Sequence, residues 1–128
     1  MRKRLAALAL VIIVSVGATL SRSPSPATVH FGLAKSLPEA DSSVPSPGAI
    51  HLWFTQAPQD NSVGIRLVNL SGDLLETGSL KQDNEDHKSF SVQVDGRLGA
   101  GAYRVAWRGI GDDGHVVRNE FSFTVDAY

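Results

Sequence analysis

Gly101-Ala-Tyr-Arg-Val-Ala-Trp-Arg108 and, after a glycine-rich turn, Phe121-Ser-Phe-Thr-Val125 are the stretches whose reading decides the fold. In the first, Tyr103, Val105 and Trp107 alternate with Arg104, Ala106 and Arg108. In the second, Phe121, Phe123 and Val125 alternate with Ser122 and Thr124. Successive side chains of a strand point to opposite faces, so a period of two means a strand with one buried face. Gly109 to Gly114 between them supplies the turn. The two runs therefore read as a hairpin.

Working outward, the same period recurs. Ile50, Leu52 and Phe54 share one face and His51, Trp53 and Thr55 the other; Val63, Ile65 and Leu67 repeat the pattern, as do Phe90, Val92 and Val94. Turn formers separate the runs at Pro45 to Gly48, Gln59 to Asn61, Ser71 to Asp73, Asp83 to Asp86 and Asp95-Gly96. No stretch after the first eighteen residues carries a 3.6-residue period. About seven short strands at this spacing predict an all-β domain, an antiparallel Greek-key sandwich or barrel. Its expected core is Ile50, Leu52, Phe54, Ile65, Leu67, Val92, Val94, Tyr103, Val105, Trp107, Phe121, Phe123 and Val125. Leu98 to Tyr103 has the form of a tyrosine corner leading into a strand.

The start of the chain is of another kind. Arg2, Lys3 and Arg4 precede an apolar stretch from Leu5 to Val16, and Val16-Gly17-Ala18 offers small residues for cleavage. That is the form of a secretory signal and is short for a membrane span. Residues 1–18 are read as a signal peptide, with an uncleaved N-terminal anchor as the alternative. Residues 19–29 are a Ser/Pro-rich linker or tail, and 30–128 the globular domain. A second cleavage after Val29 would place His30 at the mature N-terminus.

Composition excludes several classes. Without Arg2, Lys3 and Arg4 the chain holds 9 basic and 13 acidic residues, a formal −4. Such a chain is a poor binder of nucleic acid. There is no cysteine and Met1 is the one methionine, which rules out disulfides, thiolate sites and cysteine catalysis. Any metal must be held by nitrogen and oxygen, and a soft ion such as Cu(I) finds no suitable ligand. No nucleophile elbow, phosphate-binding loop, dinucleotide fingerprint or His-Glu-x-x-His motif occurs.

Four histidines remain. His87 lies in the charged run Asp83 to Lys88 and reads as solvated; His51, on the polar face beside Trp53, reads as surface. His115 follows Gly111-Asp112-Asp113-Gly114. Asp113 and His115 are two apart, so in extended backbone both side chains reach the same side. A carboxylate and an imidazole so placed are half of a tetragonal nitrogen-and-oxygen site, although Asp-Asp-Gly is also ordinary turn chemistry.

Three segments together resemble the CopC-type copper-resistance proteins. His30-Phe-Gly-Leu-Ala-Lys-Ser-Leu-Pro-Glu-Ala-Asp41 resembles the mature start of that family. Ile50-His-Leu-Trp-Phe-Thr-Gln56-Ala-Pro58 resembles its apolar strand, and Gly101 to Arg108, Asp113-Gly-His115 and Phe121 to Val125 its closing hairpin. The likeness runs from His30 to Val125. It implies a periplasmic, Ig-like or cupredoxin-like Greek-key β-sandwich that binds Cu(II) through His30, Asp113 and His115. The N-terminal amine of His30 would be a further donor, and Gln56 would support His30 from behind. Gln56 stands where many members have glutamate, an uncharged substitute that orients an imidazole less firmly. The resemblance further implies a non-enzymatic role in copper sequestration, transfer or resistance, with the copper ion and a copper-transport membrane protein as partners. A metal-free sandwich serving as an interaction module is the alternative. A copper enzyme is disfavoured, because four filled equatorial positions leave none for dioxygen.

Overall fold

The computed structural model describes residues 30–127. The signal and linker expected over 1–29 lie outside the described residues. Nine strands occur among those described: β1 (Leu33–Leu37), β2 (Ser43–Val44), β3 (Ala49–Phe54), β4 (Gly64–Asn69), β5 (Leu74–Leu75), β6 (Lys81–Gln82), β7 (Ser89–Gln93), β8 (Gly101–Ile110) and β9 (Val116–Val125). They form a four-stranded sheet, β1-β3-β7-β6, and a five-stranded sheet, β2-β9-β8-β4-β5. The chain crosses between the sheets after β1, β2, β3, β5 and β7, so the molecule is an all-β sandwich with inner faces packed on one core.

The five alternating runs of the sequence are β3, β4, β7, β8 and β9. The count of about seven falls short because β2, β5 and β6 have two residues each, too few to show a period. All pairings are antiparallel except one. Edge strand β2 runs parallel to β9, with Ser43 opposite Thr124 and Val44 opposite Val125. Backbone bonds from Asp41 N–H to Ser122 O (2.7 Å) and from Thr124 N–H to Ser42 O (2.8 Å) fasten it.

Twelve of the thirteen expected core residues are buried. Phe121 is half-buried instead. The reason is its place on β9: β2 covers that strand only at Thr124 and Val125, so at Phe121 the edge is open. Phe31, Phe90 and Leu98 complete the core. The tyrosine corner is present, with the Tyr103 hydroxyl donating to Gly99 O at 2.7 Å.

Candidate metal centre

The β8–β9 hairpin has one unbroken register from Gly101–Val125 to Ile110–Val116. It ends in the turn that carries Asp113 and His115. Gly114 N–H donates to Gly111 O at 3.0 Å, and Gly114 has φ of 79°, a left-handed conformation that glycine adopts without strain. Inside this turn Asp113 binds its neighbour twice. Its Oδ1 accepts the His115 backbone N–H at 3.0 Å, and its Oδ2 lies 3.1 Å from His115 Nδ1. Both side chains are well exposed. The backbone N–H of His115, then the charges of His115 and His30, hold the Asp113 carboxyl below its ordinary range. Asp113 is therefore a carboxylate at neutral pH.

The loop after β3 braces the turn from below. Gln56 Oε1 accepts the Asp112 N–H at 3.1 Å. Gln59 donates to the turn through its side-chain amide, Nε2 to Gly111 O at 3.1 Å, and through its backbone N–H to Ile110 O at 2.8 Å. Ser62 Oγ accepts the Ile110 N–H at 3.1 Å.

His30 reaches the same end by a different route. Phe31 is buried, its ring 4.9 Å from that of Phe54 and edge-on to Trp107 at 6.2 Å. Full burial of such a side chain is worth about 1.5–3 kcal/mol. Gly109 and Gly111 make the room: a Cβ on Gly109 would stand 2.5 Å from Phe31 Cζ, and one on Gly111 2.6 Å from Phe31 Cβ. Thr55 pins the backbone on either side of Phe31. Its hydroxyl accepts the Gly32 N–H at 3.0 Å and donates to His30 O at 2.9 Å. The exposed His30 is thus held at the rim, near enough for its charge to act on Asp113.

The structure brings Asp113 and His115 into contact and sets His30 at the same end, with Gln56 beneath the turn. It does not close the three into a ligand cluster: among the described residues no three His, Cys, Asp or Glu groups stand together as a metal-holding set. Phe31, Thr55 and Gln59 support the rim and were missed by sequence reasoning. Phe31 lies beyond the first regular strand, and a glutamine in a loop carries no periodic signal.

The other histidines separate cleanly. His87 is exposed, as expected. His51 is half-buried rather than a free surface group. Its ring stacks on Trp53 at 3.8 Å, and Nε2 lies 2.6 Å from Oγ of buried Ser89. Burial pushes its pKa down, with Lys35 adding to the shift and Asp83 opposing it. The outer face of the four-stranded sheet is covered here by its own aromatic and lysine side chains, Lys35 Nζ standing 4.5 Å over the Trp53 ring.

A sequence model of the CopC domain matches residues 33–126. The chain belongs to the CopC family. Copper resistance protein C of Xanthomonas campestris pv. juglandis is 30% identical over 118 residues, covering 88% of this chain and 91% of that protein. Among solved structures, CopC from Methylosinus trichosporium OB3b aligns with a TM-score of 0.68 at 28% identity, over 76% of this chain and 94% of that one. PcoC, a methionine-rich copper resistance protein from Escherichia coli, aligns with a TM-score of 0.67 at 30% identity, over 76% and 99%. This CopC domain differs from PcoC in having no methionine after Met1.

Proposed function

We propose that this CopC-family protein is exported to the periplasm and binds Cu(II) there, as a carrier for sequestration or transfer rather than as an enzyme. The carrying observation is the Asp113–His115 pair at 3.1 Å on the rim that also holds His30. Two donors about 2.0 Å from one ion and at right angles are about 2.8 Å apart. The pair therefore needs only a small adjustment to take adjacent corners of a square site. His30 supplies a second imidazole, and its amine the fourth donor when processing exposes it. Such a set suits Cu(II), and the missing sulfur disfavours Cu(I). Gln56 fixes the turn through Asp112, which positions Asp113 without charge.

Competition titration with Cu(II) tests the reading. His115→Ala should abolish tight binding while His87→Ala leaves it intact. Equal loss from both variants would mean that the rim is not the site, and no tight binding by the unaltered protein would favour the metal-free interaction module. Acid should release the metal, because an imidazole must be neutral to coordinate. N-terminal sequencing of the exported protein decides whether His30 contributes its amine.

A further inference from the structure

Charge is unevenly placed on the sandwich. The described residues include all 13 acidic residues but 8 of the 12 basic ones, since Arg2, Lys3, Arg4 and Arg22 lie outside them; their formal charge is −5. Yet half of those eight, Arg66, Arg104, Arg108 and Arg118, occupy the non-core positions of the alternation on β4, β8 and β9. The register sets Gly64, Arg108 and Arg118 in one row across the sheet, and Arg66, Ala106 and Glu120 in the next. Arg108 and Arg118 are directly opposite, where like charges destabilise a strand pair. Gly64 ends that row without a side chain, and Arg108 lies over it: a Cβ there would be 3.0 Å from Arg108 Nε. The result is a hollow of about 350 Å³ over Gly64 and Ala106, lined by Arg66, Arg108 and Arg118, with Asn119 and the carboxylate of Glu120 on its wall beside Trp107. Arg104 is answered by Glu120 at 3.7 Å, while the other three arginines have no carboxylate partner among the described residues.

We propose that this hollow is a docking site for a carboxylate-rich segment of a partner protein, gripped by Arg66, Arg108 and Arg118. A guanidinium fork matches a carboxylate with two parallel hydrogen bonds. A carboxylate between Arg108 and Arg118 removes the repulsion that their register imposes. The small lining residues let it approach the sheet, where partial loss of water strengthens the pairing. Charge complementarity favours a short acidic segment over an extended polyanion or an anionic bilayer, because those meet the acidic remainder of the domain as well. Arg108 and Arg118 are two register steps from the Ile110–Val116 pair that closes the Asp113–His115 turn. A docked partner would lie beside the candidate metal centre, although docking does not require that centre to bind metal.

The test is fluorescence polarisation of a labelled oligoglutamate peptide with the whole protein. Saturable binding that weakens with salt is expected. Arg66→Ser and Arg118→Ser should each weaken it about tenfold. Arg118→Lys keeps the charge but loses the fork and should weaken it several-fold. Gly64→Val changes no charge, fills the hollow and should also weaken binding. Lys81→Ser, Lys88→Ser and His115→Ala should leave it unchanged, the last separating this site from the metal reading. Thermal melting checks that each variant folds. No saturable binding, an affinity unchanged by both Arg118→Ser and Gly64→Val, or tighter binding to phosphatidylglycerol vesicles than to the peptide overturns the proposal.

Discussion

His30 and Phe31 are neighbours in the chain and opposites in environment, and the rim as a whole divides the same way. Its base is apolar and tightly fitted: Phe31 is 5% exposed and seated over Gly109 and Gly111 against Phe54 and Trp107. Its tip is polar and open, with the His115 side chain 83% and that of Asp113 54% exposed. The base decides where the candidate ligands are. The tip decides what they can hold, and it can rearrange without disturbing the core. Damage to the base should therefore cost stability and binding together, whereas damage to the tip should cost binding alone.

The largest expected effects are at the base. Phe31→Ala should lower stability by about 3–5 kcal/mol through the lost ring and the cavity it leaves. It should also release His30 from the rim and weaken Cu(II) binding. Gly109→Val forces a side chain into the space of the Phe31 ring and should act in the same direction. Urea unfolding and copper competition measured on the same samples check whether the two losses travel together; a Phe31→Ala variant with full copper affinity would break the division.

At the tip, His115→Ala should abolish tight Cu(II) binding while moving stability by no more than about 0.5 kcal/mol, as for an exposed substitution. A large loss of stability would show that this side chain belongs to the base. Gln56→Ala sits between the two regions. It removes the acceptor for the Asp112 N–H, which should cost about 1 kcal/mol of stability and about tenfold in copper affinity, read from the same two assays.

The smallest effect is outside the rim and contrasts His51 with the exposed His87. Burial first, then Lys35, makes the His51 pKa lower in the folded chain than its unfolded value of about 6.5. The unfolded chain then binds more protons as the pH falls below 6.5, so the stability that neutral His51 contributes is present above that value. It is lost as the pH falls through the depressed folded pKa. Urea midpoints should decline across this window, and His51→Gln should flatten the decline while His87→Gln leaves it unchanged.

Much of this was legible in the sequence for a physical reason. Long strands with one buried face write a period of two, so β3, β4, β7, β8 and β9 and twelve core residues could be read directly. The paired strands of two residues, β2, β5 and β6, exist only because longer neighbours recruit their backbone, and no period marks them. The local half of the site was legible as well, since Asp113 and His115 are two residues apart in a glycine-bounded turn. The non-local half was suggested by resemblance: nothing in the spacing ties His30 to residue 113. What ties them is the fit of Phe31 over two glycines and one threonine hydroxyl, contacts that form only once the sandwich has closed. The half-burial of His51 was missed because alternation reports a face and not the neighbours, Trp53 and Ser89, that cover it.

The central claim is that two histidines distant in sequence meet on one ion. Pulsed electron paramagnetic resonance of the Cu(II)-loaded exported protein counts the imidazoles bound to the metal. The account predicts two in the unaltered protein and one after His30→Ala, with His51→Gln and His87→Ala still showing two. A single imidazole in the unaltered protein, or a count that falls with His51 or His87 and not with His30, would contradict it.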